Sequence, residues 1–289
     1  MTRPDLTCRM PTPKTARPQS RSRTTAKASP GASSPIRRKS APAARLTLAE
    51  TMRVLERAGS AQTRKTYARH GVTGPMFGVS FATLKDLTRR IDVDHDLALA
   101  LWDTGNFDAR NLAVKVVDPA RLTAAQLDRW ARENAPARMC GGYVAGVACE
   151  GPHGLAKAAQ WLADAEPQVR ATGWTLWGQL AQRDEQLDDA VFAERIAAIA
   201  RDIHEAPNAE RASMNAALIA IGGRNEALRN AAIAAARRIG TVDVDHGDTE
   251  CRTPDAEESI TKAWAHARAK GFASPAAQER DRDTPRRRC

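Results

Sequence analysis

Residues 80–117 read SFATLKDLTRRIDVDHDLALALWDTGNFDARNLAVKVV. Leu84, Leu87 and Ile91 recur at helical spacing behind Ser80, a residue suited to cap a helix over Phe81–Ile91. Leu97, Leu101 and Trp102 mark a second apolar stripe, and Leu112, Val116 and Val117 a third. Only short runs rich in Asp, Thr, Gly and Asn separate the stripes. Three amphipathic helices therefore follow one another on tight connections.

The same pattern extends in both directions. Upstream, Leu48, Met52 and Leu55 share a face. Downstream, Thr123 and Gln126 form a capping-box signature ahead of Leu127 and Trp130, and Pro136 precedes a helical stretch over 139–148. Further helices are expected over 153–162, 167–180 (carrying Val169, Trp174, Trp177 and Leu180), 187–200, 209–221 and 226–239. Thr253 as cap and Pro254 at the first helical position open a last one through Trp264. The β-like stretch Thr241–Val244 is too short to build a sheet. About a dozen short helices in antiparallel succession predict an all-α chain, an α-solenoid or an irregular bundle. No fixed repeat period is legible, so any repeats are degenerate.

Of the 289 residues, 42% are apolar and 4% aromatic. That composition excludes wholesale disorder and disfavours sandwiches and barrels. No apolar run approaches the roughly 18 residues of a membrane span, and a cytoplasmic protein is expected. The net charge of +10 is carried entirely by residues 1–45, which hold eleven Lys and Arg and one acid. The remainder is balanced, with 33 basic and 33 acidic residues. The 1–45 segment is rich in Pro, Ser, Thr, Ala and Arg, and predicts a disordered tail. It reads as a solvated linker, a transit segment, a stretch upstream of the true start, or a non-specific nucleic-acid arm. The folded part is expected over 46–272, with a second tail over 273–289. Five cysteines without a C-x-x-C predict neither a disulfide framework nor a zinc knuckle.

Three segments carry a family resemblance. Arg64–Leu101 places a Gly-Val step before a helix with a basic end. Leu101–Val114, LWDTGNFDARNLAV, resembles the pattern L-W-x-S-x-x-x-E-x-R-x-L-A, with Asp108 where Glu is usual and Arg110 kept. Arg211–Ala263 contains MNAALIAIG and VDVDHGDTECRTPDAEESITKA. Together they resemble the DNA alkylation repair family, the AlkD-like proteins of the HEAT-like repeat DNA glycosylase superfamily. The resemblance implies a right-handed superhelix of paired helices whose concave face holds damaged duplex DNA. It also implies excision of cationic alkylpurines of the 3-methyl and 7-methyl type; no cofactor or metal is expected, and the sequence leaves the oligomeric state open, a monomer being the expectation.

In that family an Asp supports the developing positive charge of the sugar, an Arg holds the backbone and Trp side chains pack on the sugar edge. The family's W-x-x-x-D motif aligns with Ala137 and Gly141, so both partners are absent, and Tyr143 is the nearest aromatic. A later Trp is missing from NAALIAIGG. The resemblance assigns Arg170, in PQVRATGW, as the remaining catalytic-type residue and a phosphate clamp. Replacement carboxylates are sought among Asp103, Asp108 and Asp245. A non-catalytic scaffold for damaged or branched DNA, or for a protein partner, is the alternative.

The expected phosphate contacts are Arg170, Lys115, Arg110, Lys85, Arg89 and Arg90, with Arg224, Arg237 and Arg238 as further candidates. Lys85, Arg89 and Arg90 also read as ordinary complements of a helix C-terminus. Trp174 and Trp177 lie three apart, suited to core packing or to a stacking platform. The string Asp243, Asp245, His246, Asp248, Glu250, Cys251 and Asp255 reads as a polar turn around Gly247 or as a divalent-metal site of no standard spacing.

Overall fold

The computed structural model describes residues 45–133, 138–282 and 287, leaving out the side chains of 138–142. The expected basic tail apart from Arg45, and the position of Ala137, lie outside the described residues. The chain divides between Arg45 and Leu46, and the helices lie in the second unit, Leu46–Cys289.

Among the described residues fourteen α-helices run in the order α1 Leu48–Ala58, α2 Ala61–Arg69, α3 Phe81–Ile91, α4 His95–Asp103, α5 Phe107–Val116, α6 Ala124–Glu133 and α7 Arg138–Glu150. They continue as α8 Gly154–Leu162, α9 Pro167–Arg183, α10 Asp189–Asp202, α11 Asn208–Ile221, α12 Glu226–Ile239, α13 Ala256–Ala269 and α14 Pro275–Arg280. No strand occurs among the described residues, and Thr241–Val244 is extended chain with Val242 and Val244 buried.

The helices form two rows. The odd members α3, α5, α7, α9, α11 and α13 each touch the next, and α4, α6, α8, α10 and α12 pack against them. Helix α9 is the hub, contacting α7, α8, α11 and α14. Its two glycines permit close approach to α8 and α11. A Cβ at Gly173 would lie 3.1 Å from Trp161 Cβ, and one at Gly178 3.2 Å from Ala220 Cβ. One apolar core runs along the rows. Trp102 and Trp130 stack within it at 4.2 Å. Trp174 and Trp177 are buried, and Trp177 donates its indole N–H to the Ala158 carbonyl at 3.1 Å. All of these tryptophans are therefore core residues, not a stacking platform.

Local caps explain many of the helix starts. Ser80 accepts from Thr83 N–H, and Thr123 with Gln126 forms the expected reciprocal cap. Helix α13 departs from expectation. Asp255, not Thr253, caps it by accepting from Glu258 N–H at 2.7 Å. Thr253 instead pairs with His246 Nε2 at 3.0 Å, and the Pro254 carbonyl accepts from Asn215.

The expected tail over 273–289 is corrected by α14. Ser274 caps it, Pro275 starts it, and Ala276 and Gln278 are buried. Arg280 donates to the Gln182 carbonyl at 2.9 Å, which fastens α14 to the end of α9. No helix among the described residues is long and apolar enough to cross a membrane.

Candidate nucleic-acid interface

The residues singled out by their charge fall into two groups. In the first, structure has consumed the charge. Arg170, on α9, directs Nε and Nη2 at Glu210 Oε1, at 3.0 and 2.7 Å. Its Nη1 donates to the carbonyls of Asp164 and Ala165 at 2.7 and 2.8 Å. The Glu210 hydrogen bond raises the pKa of the guanidinium further. Glu210 is buried, so this pair is a staple between α9 and α11. Arg110 is similarly occupied. It donates to the Glu133 carbonyl at 2.7 Å and to the Glu133 carboxylate at 3.1 Å, with its guanidinium over the Trp102 ring.

Lys115 has no exposed surface. Helix α5 is buried along most of its length, and the Lys115 ammonium lies 4.0 Å from the centroid of the Tyr143 ring. Arg224 bonds Asp189 and several carbonyls that end α9, and Arg237 pairs with Glu257. Arg170, Lys115 and Arg110, expected as phosphate contacts, thus each have partners within the protein. Carboxylates and carbonyls tie the half-buried Arg170 and Arg110 to the scaffold, and Lys115 is enclosed by burial.

The candidate carboxylates are committed as well. Asp103 pairs with Arg129. Asp108 is fully buried and accepts three backbone N–H groups, from Phe77 at 2.6 Å, Gly78 at 3.0 Å and Val79 at 2.8 Å. Asp245 accepts from Gly247 N–H at 2.8 Å, inside a loop clamped by Asn208 and Arg211 of α11. That loop is the polar string Asp243–Asp255, and it is a fastened turn with Gly247 at φ +61°. Among the described residues no group of three His, Cys, Asp or Glu side chains is placed to hold a metal ion.

The second group lies on α1, α2 and α3. Lys85, Arg89 and Arg90 are exposed on α3, as are Arg53 and Arg57 on α1 and Arg64, Lys65 and Arg69 on α2. Of these eight, only Arg89 has an ion pair among the described residues, a loose 3.7 Å contact with Asp86. By contrast, thirteen cations between Arg110 and Arg268 sit in ion pairs. Paired charges cancel at distance, so the positive field of the folded part concentrates at its N-terminal end.

The underlying signal is compositional. Residues 46–92 hold eight basic and four acidic residues, and 93–272 hold twenty basic and twenty-six acidic. Arg53, Arg57, Arg64, Lys65 and Arg69 do not stand out when the whole body is totalled as neutral, but they do when it is divided at α3.

Asp108 links this face to the scaffold. Its three N–H partners lie in the segment that enters α3, and Tyr67 of α2 donates to the Val79 carbonyl in the same segment. Gly78 at φ +78° brings the chain against Ser60 and Arg64 of α2.

The family model of the DNA alkylation repair enzyme matches residues 51–260. The chain belongs to this DNA alkylation repair family. It is 27% identical over 208 residues to an uncharacterised protein of Listeria innocua serovar 6a, an alignment covering 70% of this chain and 90% of the relative. An uncharacterised protein of Listeria monocytogenes serovar 1/2a matches at 26% with the same coverage. Among solved structures, one superposes with a TM-score of 0.72 at 25% identity, covering 79% of this chain and 97% of that one. It represents a new family of proteins related to the HEAT-like repeat DNA glycosylases with affinity for branched DNA structures. The all-α, HEAT-like architecture expected from sequence is therefore the fold of this DNA alkylation repair family member.

Proposed function

We propose that the chain binds branched DNA through the cation-rich face of α1–α3 and does not excise bases. The observation that carries this reading is the contrast between the N-terminal cations, of which only Arg89 is ion-paired among the described residues, and the later cations, most of which are. Phosphate contacts supply most of non-specific affinity for DNA, and they need cations not already neutralised. Branched DNA is favoured over uniform duplex because the structural neighbour is described by that affinity. The commitment of Arg170 to Glu210 argues against base excision.

The direct test is fluorescence anisotropy of the full chain with a labelled four-way junction and with a linear duplex of equal length at matched salt. Tighter binding to the junction by roughly tenfold or more is expected, a smaller ratio than the roughly 10³–10⁷ that separates specific from non-specific complexes. Equal affinity for both removes the branched-DNA assignment.

The tail enters the same experiment. Deleting residues 1–45 removes all of the net charge. Duplex binding should weaken with a shallower salt dependence, while the melting temperature stays unchanged. A large drop in melting temperature would mean that the segment is part of the folded unit.

A further inference from the structure

We propose that the cleft between α1 and α3, walled by Arg53, Arg57 and Arg90, is a phosphodiester-binding subsite kept open by the helix cap at Thr47 and Glu50. It rests on the DNA-binding reading above and assigns that reading a place.

Arg53 and Arg57 stand four residues apart, so they share one face of α1. Arg90 comes from the last turn of α3 and lines the same cleft. Leu46 and Val54 supply its apolar wall. All three arginines are exposed and unpaired among the described residues. A guanidinium presents a planar fork of donors that matches phosphate oxygens in pairs, and it is more weakly hydrated than an ammonium. Three such forks around one shallow cleft suit a strand backbone better than a flat lysine-coated surface does.

Two of the acids nearby, Glu50 and Asp92, are engaged elsewhere. Glu50 is the one acid lining the cleft. Its Oε2 accepts from the Thr47 backbone N–H at 2.8 Å and the Thr47 hydroxyl at 2.7 Å. These two bonds lead the lowering of its pKa, with Arg53 and Arg90 adding at longer range. The capping box thus keeps a carboxylate beside the arginines without letting it close on them. Asp92, two residues after Arg90, is taken by Arg287 at 2.6 Å. Most arginines between Arg110 and Arg268 are held by acids, and these three are not.

The experiment uses the full chain, a labelled four-way junction and a salt titration. Arg53→Ala, Arg57→Ala and Arg90→Ala are combined in one variant. Arg121→Ala, Arg237→Ala and Arg268→Ala form a control, since these exposed arginines are already ion-paired. Each phosphate contact contributes about 0.9 to the log–log salt slope, so the cleft variant should lose roughly 2 to 3 from that slope and about tenfold or more in affinity. The control should keep its slope. Thr47→Ala, which frees Glu50 to swing onto the arginines, should weaken binding, and adding Glu50→Gln to it should restore the affinity.

Wild-type binding with an unchanged slope in the cleft variant overturns the subsite alone. Failure of the wild type to bind any DNA overturns both the subsite and the reading beneath it. Inorganic phosphate competing with the junction at low millimolar concentration, in the wild type and not in the cleft variant, would reassign the cleft to a free phosphate ligand. Circular dichroism melts of each variant confirm that it is folded before binding is compared.

Discussion

Asp108→Ala is expected to lower the unfolding free energy by about 4 kcal/mol, the largest loss for any single polar side chain considered. The carboxylate is fully buried, and it accepts from Phe77, Gly78 and Val79. Truncation leaves three N–H groups without a partner, two of them in buried surroundings. An unsatisfied buried group costs about 1–3 kcal/mol, and bonds to a charged acceptor lie at the upper end. Asp108→Asn should cost about half as much, because one amide oxygen keeps part of the network while the NH₂ group faces a donor. Asp103→Ala removes only an exposed pair with Arg129 and should cost below about 1 kcal/mol. Urea midpoints of the three variants at constant m-value order them. A cost for Asp108→Ala similar to that of Asp103→Ala would show that the 77–79 segment does not depend on α5. The binding consequence follows from position. Residues 77–79 lead into the Ser80 cap of α3, which carries Lys85, Arg89 and Arg90. Folded Asp108→Ala protein should therefore bind the junction more weakly although Asp108 touches no solvent.

How much of this was legible depends on the range of the interaction. Ser80, Thr123 and Gln126 act within three residues, so their caps and the helices behind them are readable in the sequence. Helix α2 has one buried side chain, Tyr67, so AQTRKTYAR shows no apolar period, although Ser60 caps it. Helix α14 spans six residues, too few to show a period at all, and its Ser-Pro start was its only mark. The α13 start falls two residues after the Thr253 expected to cap it, where Asp255 is an equally good cap, and Asn215, thirty-eight residues upstream of Thr253, donates to the Pro254 carbonyl. Site residues fail for the same reason at greater range. Arg170 looks like a clamp until Glu210, forty residues on, is brought to it. Arg110 looks exposed until Glu133 reaches it. A sequence states which side chains are charged, and only the packing of distant helices states which are still free to bind.

Single-turnover release of 7-methylguanine from duplex DNA is expected to be undetectable above the spontaneous rate. An alkylated purine leaves as a neutral base, so a catalyst has to stabilise an oxocarbenium-like sugar and position water. The family resemblance puts the carboxylate and an aromatic at Gly141 and Ala137, whose residue types supply neither. One lost electrostatic partner of this kind costs about 3–4 kcal/mol, or 10²–10³ in rate. No substitute is at hand among the carboxylates the sequence suggested. Asp103 is held by Arg129, Asp108 is enclosed by backbone donors, and Asp245 is tied into the loop that Asn208 and Arg211 clamp. Arg170 would have to leave Glu210, and abandoning a buried partner costs about 3–5 kcal/mol. Taken together the deficits exceed four orders of magnitude. The assay compares wild type and Arg170→Ala on one site-specific lesion duplex. Robust excision by the wild type would overturn the non-excising reading. If Arg170→Ala abolished it while the protein stayed folded, the chemistry would lie at α9 and the Glu210 pair would open on DNA. If Arg170→Ala left it intact, residues away from Arg170 would be responsible.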